Sequence, residues 1–433
     1  MRTSNQTTSW VNLPDVVLIE IFKYLPDADR MRASLVCQNW SQIFDSPCLW
    51  RSRSFELGGY RAQTNGQKAF QFAECFGQYL KYLSISCSHP SYYTCKLFQK
   101  SIDELFLALK EAETQLVDFE MCRLELERYW KYDTPKEKLI GLFAKFLKTQ
   151  RRLVCFDMSS GQLPAYGGCR VLDAVANQSG SVIQDMLIED FFHSRLAVYQ
   201  VKKFQKVISK FTNLKYLALN YNCLSDEVLE TFSKSLQGKL TFMNIKVFRN
   251  DPHLHRISGI AWKQLTRACP RLRVALWIES IAMHEEIAPI LVKEAPVKDL
   301  HIWSGYDDDQ NWRLADTVDL VTESYAPILE CASFELDNIM EIVDHQLITL
   351  VTKCRKLKEL SINAMVSIAT VEEICELRLA RKIDLKRLSV TCCGINEHEW
   401  NILAAVRDKY LPLFRKMKTT LEISCDLYEI NPR

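Results

Sequence analysis

The chain reads as an α/β protein in two parts: an all-α segment of three short helices, then a curved parallel sheet whose strands alternate with outer helices. Three observations carry this expectation. An opening stretch, Asn12 to Trp50, is too apolar for its length. A strand-like pattern, L-x-x-L-x-L with other apolar residues allowed, recurs eleven times after it. Helix-like segments lie between most of the recurrences.

Of the 41 residues from Trp10 to Trp50, 23 are hydrophobic, against 48% for the whole chain. A segment that short does not bury so much apolar surface unaided. Its local code is helical. Pro14 suits a first turn, Asp15 favours the dipole there, and Leu18, Ile21, Phe22 and Leu25 recur on one helical face. Pro26 stops this helix. Asp27 and Asp29 then offer capping oxygens, and Ala33, Val36, Cys37, Trp40 and Phe44 restart the spacing until Ser46-Pro47. Val17, Ile19, Tyr24, Met31 and Leu35 fall off these stripes, so the helices are apolar nearly all round and expected to pack on something else.

These residues resemble the F-box family, whose pattern is an early Leu-Pro, an Ile/Leu-rich helix, a Val-Cys/Ser pair, a Trp and a closing Leu-Trp. Here they are Leu13-Pro14, Ile19 to Leu25, Val36-Cys37, Trp40 and Leu49-Trp50. The chain departs from the pattern at Asp29-Arg30-Met31-Arg32, where the family commonly has an acidic residue followed by leucines. The resemblance implies docking onto a Skp-type adaptor and, through it, the cullin and RING subunits of a ubiquitin ligase. Leu13, Pro14, Ile21, Leu25, Val36, Cys37, Trp40, Leu49 and Trp50 are the implied adaptor-binding residues.

Repeats begin at Leu80, Leu116, Leu153, Ile183, Leu214, Leu240, Leu272, Val297, Cys331, Leu357 and Leu385. Their mean period is about 30, at the long end of the leucine-rich repeat range. The best-formed repeat starts at Leu214, with Asn222 where such repeats place a turn-bonding Asn or Cys; the register at Leu272 is ambiguous, because Leu272, Val274, Leu276 and Ile278 simply alternate. Helix-like stretches run over 98–113, 135–148, 198–211, 226–236, 285–294, 345–355 and 371–379. Ser225-Asp226 makes a capped start for the fourth. Stacking such units joins their Leu faces into one core. The expected division is an F-box over 10–55, a linker or entry segment over 56–79, a leucine-rich-repeat-like solenoid over 80–396 and a C-terminal cap over 397–433. Tyr216 to Glu230, Asp251-Pro252-His253 and Gly259 to Trp262 extend the resemblance to F-box proteins into the middle of the chain.

Lys+Arg 55 against Asp+Glu 53 gives no basic field for nucleic acid or membrane. No positively charged n-region with an apolar run opens the sequence and no apolar stretch approaches about 18 residues, so neither secretion nor a membrane span is expected. Sixteen cysteines without a C-x-x-C pair are expected to be reduced thiols in a cytoplasmic or nuclear protein.

If the second and third apolar residues of each repeat point inward, their neighbours face the concave side. Nine such positions are acidic: Asp118, Glu120, Asp157, Asp185, Glu189, Asp299, Glu335, Asp337 and Glu359. Lys246 and Arg387 are the basic ones, and Tyr216, Phe242, His301 and Trp303 are candidate aromatic anchors. Two readings stand: a client-binding face for a basic segment, or merely solvated strand surface.

Catalytic patterns are weak. His253 and His255 sit at i, i+2 with no third ligand nearby, so a turn is expected rather than zinc. Asp307-Asp308-Asp309 lacks the Gly and distant Glu of a calcium loop. Cys392-Cys393 with His398 reads equally as a reactive pair or as a strand. Neither G-x-S-x-G nor a phosphate-cradling glycine loop occurs. No metal or cofactor is expected, nor is a catalytic role. The functional expectation is a client receptor of a ubiquitin ligase; the alternative is a leucine-rich scaffold whose N-terminal helices merely cap the array.

Overall fold

A computed structural model describes Trp10 and residues 13–87, 92–130, 133–305, 312–339 and 341–427. The opening apolar stretch folds as three short helices, α1 (Asp15–Tyr24), α2 (Asp27–Ser34) and α3 (Gln38–Phe44). Pro14 and Pro26 stand immediately before α1 and α2, where a missing N–H costs nothing. Asp27 and Asp29 do not cap α2 as the sequence suggests; Asp27 binds Arg53 at 2.8 Å and Asp29 binds Arg32 at 2.9 Å. Leu18, Phe22, Ile43, Leu49 and Trp50 form the buried centre, with Leu13, Leu25, Trp40 and Phe44 packed around it.

The chain divides into two units, residues 1–161 with 170–183, and residues 162–169 with 184–433. In the first, β1 (Ser52–Glu56), β2 (Tyr82–Ser86), β3 (Asp118–Cys122) and β4 (Cys155–Asp157) pair in parallel and in chain order. Phe119 and Phe156 point into the core while Asp118, Glu120 and Asp157 lie on the other face. Polar side chains close the strand starts: Gln150 accepts from the Leu116 amide at 2.9 Å, and Ser179 donates to the Gln150 carbonyl at 2.9 Å. Unpaired backbone groups there would otherwise be buried without partners.

The supposed linker over 56–79 is the first repeat. Residues 52–56 form β1, and a helix spans Ala62–Phe76. Two features hid it. The inward position of β1 that matches Leu83 is Arg53, and the helix buries Ala62, Gly66, Ala69 and Ala73, a stripe of small residues. Gly66 serves close packing and not a loop: a Cβ there would meet Ser101 Oγ at 2.1 Å, on the neighbouring helix Tyr92–Glu111.

The second unit carries β5 (Asp185–Ile188), β6 (Tyr216–Asn220), β7 (Phe242–Phe248), β8 (Arg273–Glu279), β9 (Val297–Trp303), β10 (Cys331–Glu335), β11 (Glu359–Ala364), β12 (Arg387–Ile395) and β13 (Thr420–Leu427), again parallel and in order. Thirteen strands are thus seen among the described residues, where the sequence suggests eleven repeats. The Leu272 ambiguity resolves as a register shift between β8 and β9 at Val274/Ala275. The repeat assigned to Cys331 begins two residues earlier in the ladder, since Ala332 and Phe334 pair with Leu300 and Ile302. A slip of two keeps every side chain on its face.

Within the expected cap, the described residues 397–427 form one more helix and strand. Helix Glu397–Lys416, opened by an Asn396/Glu399 capping box, leads into β13, which continues the parallel ladder from β12. Helices also occupy Ala165–Ser179, Gly259–Ala268 and Leu314–Tyr325, which the periodicity did not mark, whereas 285–294 holds only the short helix His284–Ile287. Ser225 Oγ caps Asp226–Ser235 by accepting from the Val228 amide.

Candidate functional site

Two surfaces stand out, one in each unit. The first is the outside of α1–α3. Trp10, Val16, Val17, Tyr24, Met31, Leu35 and Val36 are all exposed large hydrophobic residues, with Tyr24 88% and Leu35 83% exposed. Val17 and Tyr24 lie seven apart on α1, and Met31 and Leu35 four apart at the end of α2, so each pair shares a helix face. Charged side chains ordinarily cover such positions; a concentration of exposed apolar groups marks an interaction site.

The nine implied adaptor residues separate into two groups. Pro14 and Val36 are exposed, and Leu13, Ile21, Leu25, Cys37 and Trp40 are half-buried, reaching both core and surface. Leu49 and Trp50 are 5% and 2% exposed and so do not present themselves outward. Trp50 instead stacks on Phe76 at 4.0 Å, takes Phe44 edge-on at 5.0 Å, and donates from Nε1 to the Phe44 carbonyl at 2.7 Å. Arg53 lies over the Trp50 and Phe72 rings. The sequence pattern cannot separate these groups, because an inward and an outward tryptophan have the same spacing in it.

The departure from the family pattern at 29–32 acquires a physical reason. Arg30 is 9% exposed, and its guanidinium donates to the carbonyls of Phe22 at 2.7 Å, Lys23 at 3.1 Å and Leu49 at 3.4 Å. Burial, together with Arg53 nearby, lowers its pKa from the ordinary arginine value, with Asp27 opposing.

The second surface is the open face of the sheet, the face opposite the buried Leu and Ile side chains. Alternation puts Asp185, Glu189, Tyr216, Phe242, Asp299, His301, Trp303, Glu335, Asp337 and Glu359 on it in the second unit. Tyr216 and Phe242 stack at 5.3 Å. Asn244 donates to Glu189, and Lys246 binds Asp190 at 2.9 Å and Glu279 at 3.2 Å. Burial works against the Lys246 charge, yet the two carboxylates outweigh it and raise its pKa. Beneath them, buried Asn220 donates to both Asp190 and Asp251 at 2.8 Å. Asn222, the expected turn residue, donates to the Leu196 carbonyl at 3.0 Å.

The ambiguous register at Leu272 hides Trp277 and Glu279 in the sequence. Register pairs Trp277 with His301 and Glu279 with Trp303, and the Trp277 and His301 rings sit 4.5 Å apart. Two hollows follow on this face. One, of about 420 Å³, is lined by Trp277, His301, Glu359, Arg387 and the in-register row Ser333, Ser361, Ser389. The other, of about 280 Å³, is bounded by Trp303, Glu335, Asp337, Met365 and Asp426. Burial holds the His301 imidazole below its ordinary pKa, against Glu335 and Glu279, and raises that of Asp337.

His253 is buried in an irregular segment before helix Gly259–Ala268, with Nδ1 2.7 Å from the Asp251 carbonyl, while His255 stacks on Tyr199 at 4.1 Å. Among the described residues no group of three His, Cys, Asp or Glu side chains is arranged to hold a metal ion. The Asp307–Asp309 run lies outside the described residues. Cys392 and Cys393 alternate within β12, and burial pushes their thiols up to about 12 and about 11, which disfavours the nucleophilic thiolate. All sixteen cysteines are free thiols. No helix of the described residues is long and apolar enough to cross a membrane.

Comparison with known proteins agrees with this geometry. An F-box-like family model matches residues 10–56. F-box/LRR-repeat protein 21 of Mus musculus is 24% identical over 416 residues, covering 93% of this chain and 85% of that protein. F-box/LRR-repeat protein 12 of Homo sapiens is 56% identical over 41 residues, 10% of this chain and 13% of that one. F-box only protein 33 of Homo sapiens is 36% identical over 50 residues, 12% and 9% of the two chains. The chain therefore carries an F-box at its N-terminal end, followed by an array of leucine-rich-repeat-like units.

Proposed function

We propose that the chain is the substrate-recognition subunit of a Skp/cullin/F-box ubiquitin ligase. The observation that carries this reading is the exposed apolar surface of α1–α3, where Val17, Tyr24, Met31, Leu35 and Val36 remain outside although Phe72, Phe76 and Tyr79 close the segment's core from the other side. A Skp-type adaptor covering those side chains would recruit the cullin and RING subunits. Leu13, Pro14, Ile21, Leu25, Cys37 and Trp40 form the rest of the grip, and Leu49 and Trp50 act from inside by holding the helices in place.

The open sheet face binds the client, and the subunit works by raising the local concentration of target lysines rather than by chemistry of its own. Its place of action is the cytoplasm or nucleus. The words around Tyr216–Glu230 and Gly259–Trp262 also resemble F-box only protein 39, and the layout resembles F-box only protein 33; both likenesses favour the same role.

A second reading has one observation in its favour. The Trp50/Phe76 stack ties the N-terminal helices to the first repeat, as a capping element of a scaffold protein would be tied. Affinity capture separates the two. The full chain, expressed beside a Tyr24→Asp/Leu35→Asp variant in cells with cullin activity inhibited, is expected to retain adaptor, cullin and accumulated clients; the variant keeps clients and loses the ligase subunits. Equal recovery of no adaptor by both chains favours the scaffold.

A further inference from the structure

Three carboxylates of the neighbouring strands, Asp299, Glu330 and Glu279, are answered by bases of this same chain. Asp299 binds Arg273 at 3.3 Å, Glu330 takes Lys298 at 2.9 Å and also meets Arg273 and Lys358, and Glu279 binds Lys246. Around the 280 Å³ hollow the pattern stops. Glu335, Asp337 and Asp426 line it, and no lysine or arginine of the described residues pairs with any of them. The Trp303 indole, Leu336, Met365 and Ile339, the last 61% exposed, give it an apolar part, and Asn363 and Cys393 add two neutral polar side chains. A hollow with an aromatic wall, apolar flank and three uncompensated carboxylates is complementary to one long cationic side chain, whose methylenes lie on the apolar part and whose charge reaches the acids.

The larger hollow has different chemistry. Trp277, 42% exposed, and His301 form one side, the small side chains Ser333, Ser361 and Ser389 keep the sheet surface low beside them, and Asp299, Glu359, Glu422 and Arg387 also line it. The space over the serines, beside the Trp277 ring, accepts an apolar or aromatic side chain. Along β9 and its end, residues 299–301 line the first hollow and Trp303 and Gly305 the second, an offset of about four residues, or about 13 Å at roughly 3.3 Å per residue of extended chain.

We propose that this face holds an extended segment of the client, with an aromatic or aliphatic residue in the Trp277/His301 hollow and a lysine or arginine four residues away in the Trp303/Glu335/Asp337/Asp426 hollow. This rests on the client-receptor reading above and specifies its ligand class. The two tryptophans anchor the segment and the acids select its sign.

The test uses the full chain and a library of fluorescein-labelled eleven-residue peptides carrying Phe and Lys four residues apart, with all other positions randomised among small polar residues. Matched sets replace Lys by Gln or Glu, replace Phe by Ala, or shorten the separation to one residue. Fluorescence polarisation is expected to select the Phe/Lys set, with affinity about tenfold lower for each replacement and falling with added salt. Glu335→Gln/Asp337→Asn lowers affinity for the Lys set about tenfold and leaves the Gln set unchanged; Trp277→Ala does the converse for Phe and Ala. Thermal unfolding of each variant confirms that it is folded. No selection of the Phe/Lys set, or variants that bind all sets as the parent does, overturns the proposal. Adaptor capture in the same preparations keeps the two ideas apart: capture without peptide selection removes this inference alone, and peptide selection without capture removes the ligase reading alone.

Discussion

Arg30 Nε donates to the carbonyl of Phe22 at 2.7 Å, and that bond places an arginine of α2 on the C-terminal end of α1. The last carbonyls of a helix have no partners within it, and a cation there also favours the dipole. Arg30→Met keeps most of the side-chain length and removes the donors. It is expected to destabilise the N-terminal unit by about 2 kcal/mol, seen as a lower denaturation midpoint with unchanged slope. An unchanged midpoint would show that the three carbonyls are satisfied by other means.

Inner and outer apolar residues of the same segment should behave oppositely. Trp50→Ala empties the space between Phe44, Phe72 and Phe76 and is expected to cost about 3–5 kcal/mol. Leu35→Ser, at an exposed position, is expected to change stability by less than about 0.5 kcal/mol. Urea titrations of the two variants compare them directly, and similar losses would mean that Leu35 is not free.

Acidification should loosen the second unit. Burial holds the imidazoles of His255 and His301 below the ordinary value of 6.5, so each is neutral in the fold and charges more readily in the unfolded chain. Their contribution is therefore fully present above pH 6.5 and is lost as pH falls through the lower folded values. Thermal midpoints measured from pH 8 to pH 5 are expected to fall less steeply in His255→Asn/His301→Gln than in the parent. Parallel curves would assign the acid sensitivity to other groups.

Asn220 joins Asp190 and Asp251 through one amide, and its Oδ1 also accepts from the Asp190 amide at 2.7 Å. Asn220→Ala leaves two carboxylates facing each other without their donor. A loss of about 2–3 kcal/mol is expected, together with a rise in the pKa of Asp251, already raised by burial. Carboxylate titration by NMR checks the second part; an unshifted Asp251 would place its stabilisation elsewhere, with the Arg195 amide as the remaining donor.

Much of this architecture was legible because the repeats bury leucines at a fixed spacing: Leu217 and Leu219, Leu300 and Ile302, and Leu360 and Ile362 are each core pairs. Legibility failed where the inward residues were not leucine-like. Arg53 in β1, the alanine stripe of Ala62–Phe76 and Gly167-Gly168 inside Ala165–Ser179 all carry little hydrophobic signal. The face of each candidate side chain followed from strand alternation and survived even the two-residue slip at Cys331. What alternation could not supply was pairing across strands. Trp277 beside His301, and the lack of any lysine or arginine paired with Glu335 or Asp337 among the described residues, arise from register over several repeats. Burial likewise divided Leu49 and Trp50 from Tyr24 and Leu35 when spacing could not.

Binding of purified Skp-type adaptor to the full chain and to Tyr24→Asp/Leu35→Asp, by calorimetry at equal concentrations, bears directly on the role of the exposed helix faces. A saturable complex is expected with the parent chain and affinity at least about tenfold weaker for the variant, with both unfolding at the same temperature. Equal binding by the two chains, or no complex with the parent, would contradict that role.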